Sequence, residues 1–109
     1  MVRTIKTVKK EDAAAMLANV PDDKVFWCHD GRVFKNLREL ADGLTNMTEE
    51  TFRHHVNGEK NDFVVWVRDV IKDDVIARNI NKAINRTQSA KVVATRITAL
   101  ERSKSGITK

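Results

Sequence analysis

Cysteine, proline and glycine are scarce in this 109-residue sequence, and tyrosine is absent. The single cysteine, Cys28, cannot form an intramolecular disulfide, so we expect a reducing, cytoplasmic setting. With one proline and four glycines, the chain holds neither a proline-rich linker nor a glycine-rich phosphate-binding loop, which leaves nucleotide binding without support. No apolar run approaches the roughly 18 residues that span a bilayer, and no apolar signal segment is visible at the start. We therefore expect neither a disulfide scaffold nor a protein with a membrane partner.

The remaining composition is that of an ordinary globular protein. Hydrophobic residues make up 41% of the chain and charged residues 32%, which argues against intrinsic disorder of its main body. A chain of this length buries roughly 60–70% of its unfolded surface on folding, which is enough for one core but not for two. We expect one domain over residues 1–109, with flexible ends at about residues 1–6 and 103–109.

The net charge of +5 is unevenly distributed along the chain. Residues 1–10 hold four basic and no acidic side chains, residues 11–74 hold eight basic and fourteen acidic, and residues 75–109 hold eight basic and one acidic. Both ends are therefore cationic and the middle is anionic. Such segregation is typical of a nucleic-acid-binding surface or of self-association through opposite patches, although a small protein also carries uneven surface charge without any partner.

Residues 61–71 have the strongest core-forming pattern in the chain. Their apolar side chains recur at helical spacing, and they are Phe63, Trp66, Val67, Val70 and Ile71. Because residues 63–67 are all β-branched or aromatic, a buried strand is the alternative. Helix is favoured, since Asn61 is a good N-cap, Asp62 adds negative charge to the first turn, and the apolar pattern extends beyond strand length.

Capping residues predict three helices before this stretch. The first follows Thr7 as N-cap. The second has Asn36 as N-cap and Glu39 as its capping-box partner. The third follows Thr48 and stops at residues 57–58, an Asn-Gly pair suited to a helix C-terminus.

Two more helices are predicted after residues 61–71. The acidic pair at residues 73–74 is interpreted as the cap of a helix over residues 75–86, in which Ile84 is expected to face inward. Either Thr87 or Ser89 then starts the last helix.

A β-hairpin is predicted at residues 25–34, where two short apolar segments flank an Asp-Gly dipeptide suited to a two-residue type I′ turn. The register of that turn pairs His29 with Arg32, and Cys28 with Val33. The fold is thus predicted to be mainly α with a small β-hairpin, in a single compact multi-helix domain. Its predicted core comprises Trp27, Leu40, Leu44, Phe52, Phe63, Trp66, Val70, Ile80 and Ile97.

The sequence has no catalytic or metal-binding motif. The residues with suitable metal-ligand types, Cys28, His29, His54 and His55, lack paired spacings such as C-x-x-C or H-x-x-x-H. Neighbouring side chains on a strand point to opposite faces, so His29 is poorly placed to activate the Cys28 thiol. We interpret Cys28 as a packed apolar residue, and His54 and His55 as partly exposed polar residues. We predict no enzyme activity, no bound metal and no cofactor.

The basic residues of the C-terminal third are the best candidate site. Arg78, Lys82 and Arg86 recur at four-residue steps opposite the apolar stripe, and Lys91 continues the series. Amide side chains suited to base edges are interleaved with them, and lysines near the N-terminus add to the cationic surface. The full predicted nucleic-acid-binding set is Arg78, Lys82, Arg86, Lys91, Asn79, Asn85, Gln88, Lys9 and Lys10.

The predicted function is low-specificity binding of duplex DNA through this stripe. No aromatic residue interrupts the stripe, which makes stacking on single-stranded bases less favoured than contact with duplex phosphates. Two alternatives remain. In the first alternative, the stripe is only the solvated face of an amphipathic helix. In the second, the segregated acidic and basic patches form a protein-interaction or self-association module.

The motifs NL-x-EL, M-T-x-E-x-F-x-x-H-x-N and NDF-x-x-W-x-x-D-V-x-x-D occur in this order in the chain. Together they resemble a small family of uncharacterised prokaryotic domains. The similar segment covers about residues 25–77, roughly half of the chain. The resemblance implies a helical accessory domain, and it implies no activity, cofactor or catalytic residue.

Overall fold

The computed structural model describes residues 8–105, and these residues form six α-helices and two small antiparallel strand pairs. In chain order the elements are α1 (Lys10–Leu17), β1 (Phe26–Trp27), β2 (Val33–Phe34), α2 (Leu37–Asn46), α3 (Glu49–His55), β3 (Val56–Asn57), β4 (Lys60–Asn61), α4 (Asp62–Trp66), α5 (Asp74–Lys82) and α6 (Arg86–Ser105). The described residues also form a 3-10 turn at Asp22–Lys24 and a π-helical turn at Val67–Ile71. The predicted mainly α fold with a small hairpin is confirmed.

Two predictions concern the ends of the chain. The predicted N-cap Thr7 and the predicted flexible end at residues 1–6 lie outside the described residues. α1 begins at Lys10, after Lys9 in an extended conformation, and α6 is helical through Ser105. The rest of the second predicted flexible end, residues 106–109, also lies outside the described residues.

The first hairpin has a different register from the predicted one. Phe26 pairs with Phe34 and Trp27 with Val33, one residue away from the predicted pairing. The physical reason is the loop, which has three residues, 29–31, instead of two. Its last residue, Gly31, has a φ of +96°, and its N–H donates to the Cys28 carbonyl at 3.0 Å. This combination is typical of three-residue hairpin loops.

The core face of this hairpin is formed by Phe26 and Cys28, both of which are buried. The Phe26 ring stacks on Phe63 with a centroid separation of 5.0 Å. Because side chains alternate along a strand, Trp27 points the other way and is 72% exposed. The prediction that Trp27 belongs to the core is therefore wrong.

α2 begins as its capping residues predict. The Asn36 side chain accepts a hydrogen bond from the Glu39 N–H at 2.8 Å, and the Glu39 carboxylate accepts one from the Lys35 N–H at 2.7 Å. The first bond satisfies an N–H group that the first turn of a helix leaves unpaired, and the second fixes the residue that precedes the N-cap. Three leucines of α2, Leu37, Leu40 and Leu44, are completely buried.

Gly43 lets α2 approach the first hairpin closely. A Cβ atom at this position would overlap with three carbons of the Phe34 ring. Phe34 itself is only 2% exposed, so its ring has little room to move away. The glycine is thus required by packing against the hairpin and not by its own backbone conformation.

We expect Gly43→Ala to lower the free energy of unfolding by about 1–3 kcal/mol, because the added methyl group overpacks the core. Helix propensity alone would favour alanine over glycine by about 1 kcal/mol, so a loss reports the contact with Phe34. Urea denaturation followed by circular dichroism measures the change. Gly58→Ala is the matched control, since nothing lies within 4 Å of a Cβ added there. Equal losses in the two variants would show that close packing is not the cause.

α3 has Thr48 as its N-cap, as predicted, and the Thr48 hydroxyl accepts from the Thr51 N–H at 3.0 Å. The predicted stop at residues 57–58 is wrong by two residues. α3 ends at His55, because the chain turns there into a second hairpin in which Val56 pairs with Asn61. Residues 58–59 form the turn of that hairpin.

The core-forming stretch of residues 61–71 is helical, and the strand alternative is wrong. The Asn61 side chain accepts from the N–H groups of Phe63 and Val64, both at 3.1 Å. The helix widens into the π-helical turn and ends at Lys72, whose φ of +67° is left-handed. Phe63, Trp66, Val67 and Ile71 are buried, and Val70 is half-buried against the same core.

The predicted helix over residues 75–86 is interrupted. α5 ends at Lys82, and Ile84, expected to face inward, is 79% exposed. The interruption arises from a new cap, since the Asn85 side chain accepts from the Gln88 N–H at 2.8 Å. The Gln88 side chain in turn accepts from the Ile84 N–H at 3.1 Å. The last helix therefore starts at Arg86, and the prediction that it starts at Thr87 or Ser89 is wrong.

α6 is the helix against which α1, α2 and α5 pack. Its N-terminus lies beside the C-terminus of α2, and the Glu101 carboxylate near its other end pairs with Arg38 in the first turn of α2. α2 and α6 are thus antiparallel. Of the nine predicted core residues, six are buried, Val70 and Ile97 are half-buried, and Trp27 is exposed.

Candidate nucleic-acid interface

A buried ion pair fixes α5 against α6. Asp73 is the N-cap of α5, has no exposed surface, and accepts from the Ile76 N–H at 3.2 Å. The Arg96 guanidinium of α6 donates to both of its carboxylate oxygens, at 2.8 and 3.0 Å. The interpretation of Asp73 as a helix cap is thus confirmed. Its pairing with Arg96 was not predicted, because no local pattern links residues 23 positions apart.

A groove of about 420 Å³ runs between α5 and α6 above this ion pair. Its floor is largely apolar and includes Val75 and Val92. Three residues of the predicted nucleic-acid-binding set line it: Asn79 from α5, and Gln88 and Lys91 from α6. The structure therefore brings two amides and one ammonium group to the same groove.

Arg78 and Lys82 lie one turn apart on the exposed surface of α5. Arg78 lines a second, smaller cleft that faces α4 and that also contains Arg68 and Asp74. Lys82 follows Asn79 by three residues and therefore lies on the same side of α5 as the groove, whereas Arg78 lies toward the second cleft. They extend the cationic surface beyond the groove.

Arg86 does not continue that surface. Its guanidinium donates to the carbonyls of Leu44 and Thr45, at 2.8 and 2.9 Å, and to the Glu49 carboxylate at 2.9 Å. These carbonyls belong to the last turn of α2, which has no helical partners for them. Arg86 thus caps α2, and the prediction that it shares one continuous helix face with Arg78 and Lys82 is wrong.

The remaining predicted residues lie at helix starts. Asn85 caps α6 through its side chain, so its amide oxygen is already engaged. Lys9 precedes α1 and Lys10 is its first residue, and both are exposed. α1 packs against α6, which attaches this basic pair to the same half of the molecule.

The surface of α5 and α6 remains strongly cationic after its internal ion pairs are counted. Within the described residues, five exposed basic side chains of these helices form no ion pair: Arg78, Lys82, Lys91, Arg102 and Lys104. The two helices contain only two carboxylates, Asp74 and Glu101, and Glu101 is paired with Arg38. Arg102 and Lys104 were not in the predicted set. Arg102 follows Lys91 by about three helical turns and so lies on the same face of α6, a periodicity that is visible in the sequence.

The histidines form a separate cluster at the tip of the first hairpin. His55 is buried, contrary to its interpretation as partly exposed, because its ring packs between Phe26 and Phe63. Its Nε2 accepts from the His29 N–H at 2.9 Å, so the ring proton lies on Nδ1, which donates to Asp62 at 2.9 Å. His55 is thus a structural residue that links the loop of the first hairpin to Asp62.

The electrostatics of this cluster follow from its packing. The exposed His54 ring stacks on His29 with a centroid separation of 3.8 Å. Partial desolvation, and then the neighbouring His29, lower the pKa of His54. Burial raises the pKa of the Cys28 thiol, which keeps it protonated at neutral pH. Within residues 8–105, no group of three or more histidine, cysteine or acidic side chains is arranged to hold a metal ion.

No protein-family model, curated protein or solved structure significantly matches this chain. This result is consistent with the resemblance to an uncharacterised family. It supplies no relative whose function could be compared with the cationic surface. Among the described helices, none is both long and apolar enough to cross a membrane.

Proposed function

We propose that α5 and α6 form a low-specificity nucleic-acid-binding surface, with duplex DNA as the preferred ligand. The observation that carries the proposal is the set of five exposed basic side chains without ion pairs, on two helices that contain only two carboxylates. Phosphate contacts of this kind supply most of the affinity of non-specific DNA binding. We also propose that the protein is prokaryotic and cytoplasmic and that it has no catalytic activity.

The residues of the groove support a small contribution of base contacts to the affinity for DNA. The Asn79 and Gln88 amides lie beside the Lys91 ammonium group in one groove, and amides pair well with adenine edges. Residues 74–105 contain no aromatic side chain, which favours duplex over single-stranded ligands. Because Gln88 and Asn85 also serve in the cap of α6, we expect positioning on phosphates to dominate over sequence discrimination.

We expect the triple variant Arg78→Glu, Lys82→Glu and Lys91→Glu to lose duplex binding while it keeps its fold. The three side chains are exposed and form no ion pair with any described carboxylate, so their reversal removes phosphate contacts without disturbing the core. Fluorescence anisotropy against a duplex, a single strand and RNA measures the affinities. The wild type should bind the duplex with a Kd between about 10⁻⁶ and 10⁻⁴ M, and the variant more weakly than about 10⁻⁴ M.

The control for this experiment is Lys24→Glu, Lys35→Glu and Arg53→Glu. It also reverses two lysines and one arginine, all exposed, and both triple variants lower the net charge by six, from +5 to −1. Arg86 is left unchanged, since its loss would uncap α2 and confuse binding with folding. If the control loses as much affinity as the test variant, net charge and not the α5 and α6 surface determines binding.

A second candidate function is a self-association module, and Ile84 is the observation that favours it. This large apolar side chain is 79% exposed between α5 and α6, where it suits contact with protein better than contact with phosphate. The acidic middle of a second copy would supply the opposite charge. Light scattering should then show a larger species at low salt that dissociates as salt rises, and a strictly monomeric protein at low salt would contradict it.

A further inference from the structure

A second surface, distinct from α5 and α6, surrounds the exposed Trp27. Its indole is 72% exposed, and Val65 on α4 is 45% exposed beside the same cleft of about 410 Å³. Val33, the cross-strand neighbour of Trp27, is 36% exposed and extends the apolar area. Isolated exposed apolar residues are common, but a cleft lined by two of them, Trp27 and Val65, with Val33 next to it, is typical of a contact site.

The charged groups that line this cleft are both carboxylates, Asp62 and Asp69. The Asp62 Oδ2 atom accepts from His55 and Lys60, at 2.9 and 3.1 Å, while its Oδ1 accepts no hydrogen bond from the described residues. Among residues 8–105, Asp69 pairs only with Arg68, its exposed neighbour in sequence, and such pairs are weak and exchange readily. Both carboxylates thus have capacity for a further donor.

Both carboxylates are ionised at neutral pH. Partial desolvation raises the pKa of Asp62, but hydrogen bonds from His55 and Lys60 outweigh it and leave the pKa lowered. The hydrogen bonds from Arg68 likewise lower the pKa of Asp69. Lys60 and Arg68, which pair with these carboxylates, line a different cleft. The Trp27 cleft therefore has an aromatic face and two carboxylates but no basic residue in its lining, which favours a cation over phosphate or an anionic lipid headgroup.

We propose that this cleft binds an arginine-bearing segment of a partner protein. A planar guanidinium stacks on the exposed Trp27 indole and donates two parallel hydrogen bonds to a carboxylate, a combination that lysine does not match. Apolar side chains that flank the arginine cover Val65 and Val33. The site is independent of the nucleic-acid surface, because it uses neither α5 nor α6.

The test uses the whole protein and a capped peptide, acetyl-Ala-Arg-Leu-Arg-Ala-amide. Its matched control replaces both arginines with citrulline, which keeps the shape and removes the charge. Two indole N–H signals report the result in nitrogen-proton NMR spectra. Trp66 also lines the cleft, but it is 6% exposed and its Nε1–H donates to the Lys24 carbonyl at 2.8 Å. The Trp27 signal should therefore shift saturably with the arginine peptide, and by more than the Trp66 signal.

We expect the citrulline peptide to bind at least about tenfold more weakly, because it loses the cation–π contact and the charge-assisted hydrogen bonds. Trp27→Ala lacks the reporting indole, so its binding is followed through the backbone N–H signal of Val65, which also lines the cleft. This variant should show no binding with an unchanged melting temperature, and Asp69→Asn should bind more weakly. Three results would overturn the proposal. They are equal binding of the citrulline peptide, absence of a shift at millimolar peptide, and a Trp27 shift that follows protein concentration alone, which would make a second copy the occupant.

Discussion

Asp73→Ala should lower the free energy of unfolding by about 3–5 kcal/mol, because it leaves the Arg96 guanidinium largely buried without its counter-charge. The same change removes the N-cap of α5, which alone contributes about 1 kcal/mol. The loss is a large fraction of the roughly 5–15 kcal/mol that stabilises a domain of this kind. Urea denaturation followed by circular dichroism measures it, with an unchanged denaturant slope as the sign that the unfolded state is not altered.

Asp74→Ala is the control for this prediction. It removes the same carboxylate from the neighbouring position, but Asp74 is exposed and forms no ion pair with the described residues. We expect a loss of at most about 0.5–1 kcal/mol, from its interaction with the dipole of α5. If the two variants lose the same stability, the ion pair with Arg96 does not hold α5 against α6.

Trp66→Ala should cost about 3–5 kcal/mol as well, since a large buried ring leaves a cavity in addition to its lost transfer free energy. Trp66 is 6% exposed, and its Nε1–H donates to the Lys24 carbonyl, which would lose its partner. The same denaturation experiment measures the change. Trp27→Ala is the control, and its 72% exposure predicts a change within about 0.5 kcal/mol.

The comparison of the two tryptophans tests the assignment of the hairpin face. If Trp66→Ala melts within a degree or two of the wild type, residues 61–71 do not organise the core. If Trp27→Ala costs as much as Trp66→Ala, the hairpin faces the core with the side opposite to the one described. Either result would contradict the packing of Phe26 on Phe63.

Most helices of this fold could be predicted because their determinants are local. Asn36, Thr48 and Asn61 each accept from N–H groups two or three residues ahead, and such spacings are visible in the sequence. The apolar repeats that follow them then define which face is buried. The helical interpretation of residues 61–71 was correct for this reason, although its residues favour strands individually.

The errors concern choices that depend on distant residues. The residues near Trp27 in sequence do not determine whether Trp27 or Phe26 packs in the core, because that depends on the contact with the distant residue Phe63. The hairpin register changed with a single loop residue, and a change of one residue alters every pairing. The second hairpin was not predicted, because the Asn-Gly pair at its turn is also typical of a helix C-terminus.

The candidate site was predicted only in part, and Arg86 explains why. Four-residue spacing identifies one face only while the helix is continuous, and the cap at Asn85 interrupts it. The distant carbonyls of Leu44 and Thr45 then give Arg86 a structural role that its sequence neighbours do not reveal. Arg96, which resembled any other surface cation, is likewise engaged by Asp73.

The most direct test of the proposed function is the salt dependence of duplex binding by the wild-type protein. Each neutralised phosphate contributes about −0.9 to the slope of log affinity against log salt, so one contact from each of the five exposed basic side chains of α5 and α6 predicts a slope of about −4.5. Affinity should then fall by about 500-fold between 50 and 200 mM salt. A slope near zero, or no binding tighter than about 10⁻⁴ M at the lower salt concentration, would contradict the account and leave the basic residues of α5 and α6 as a solvated surface.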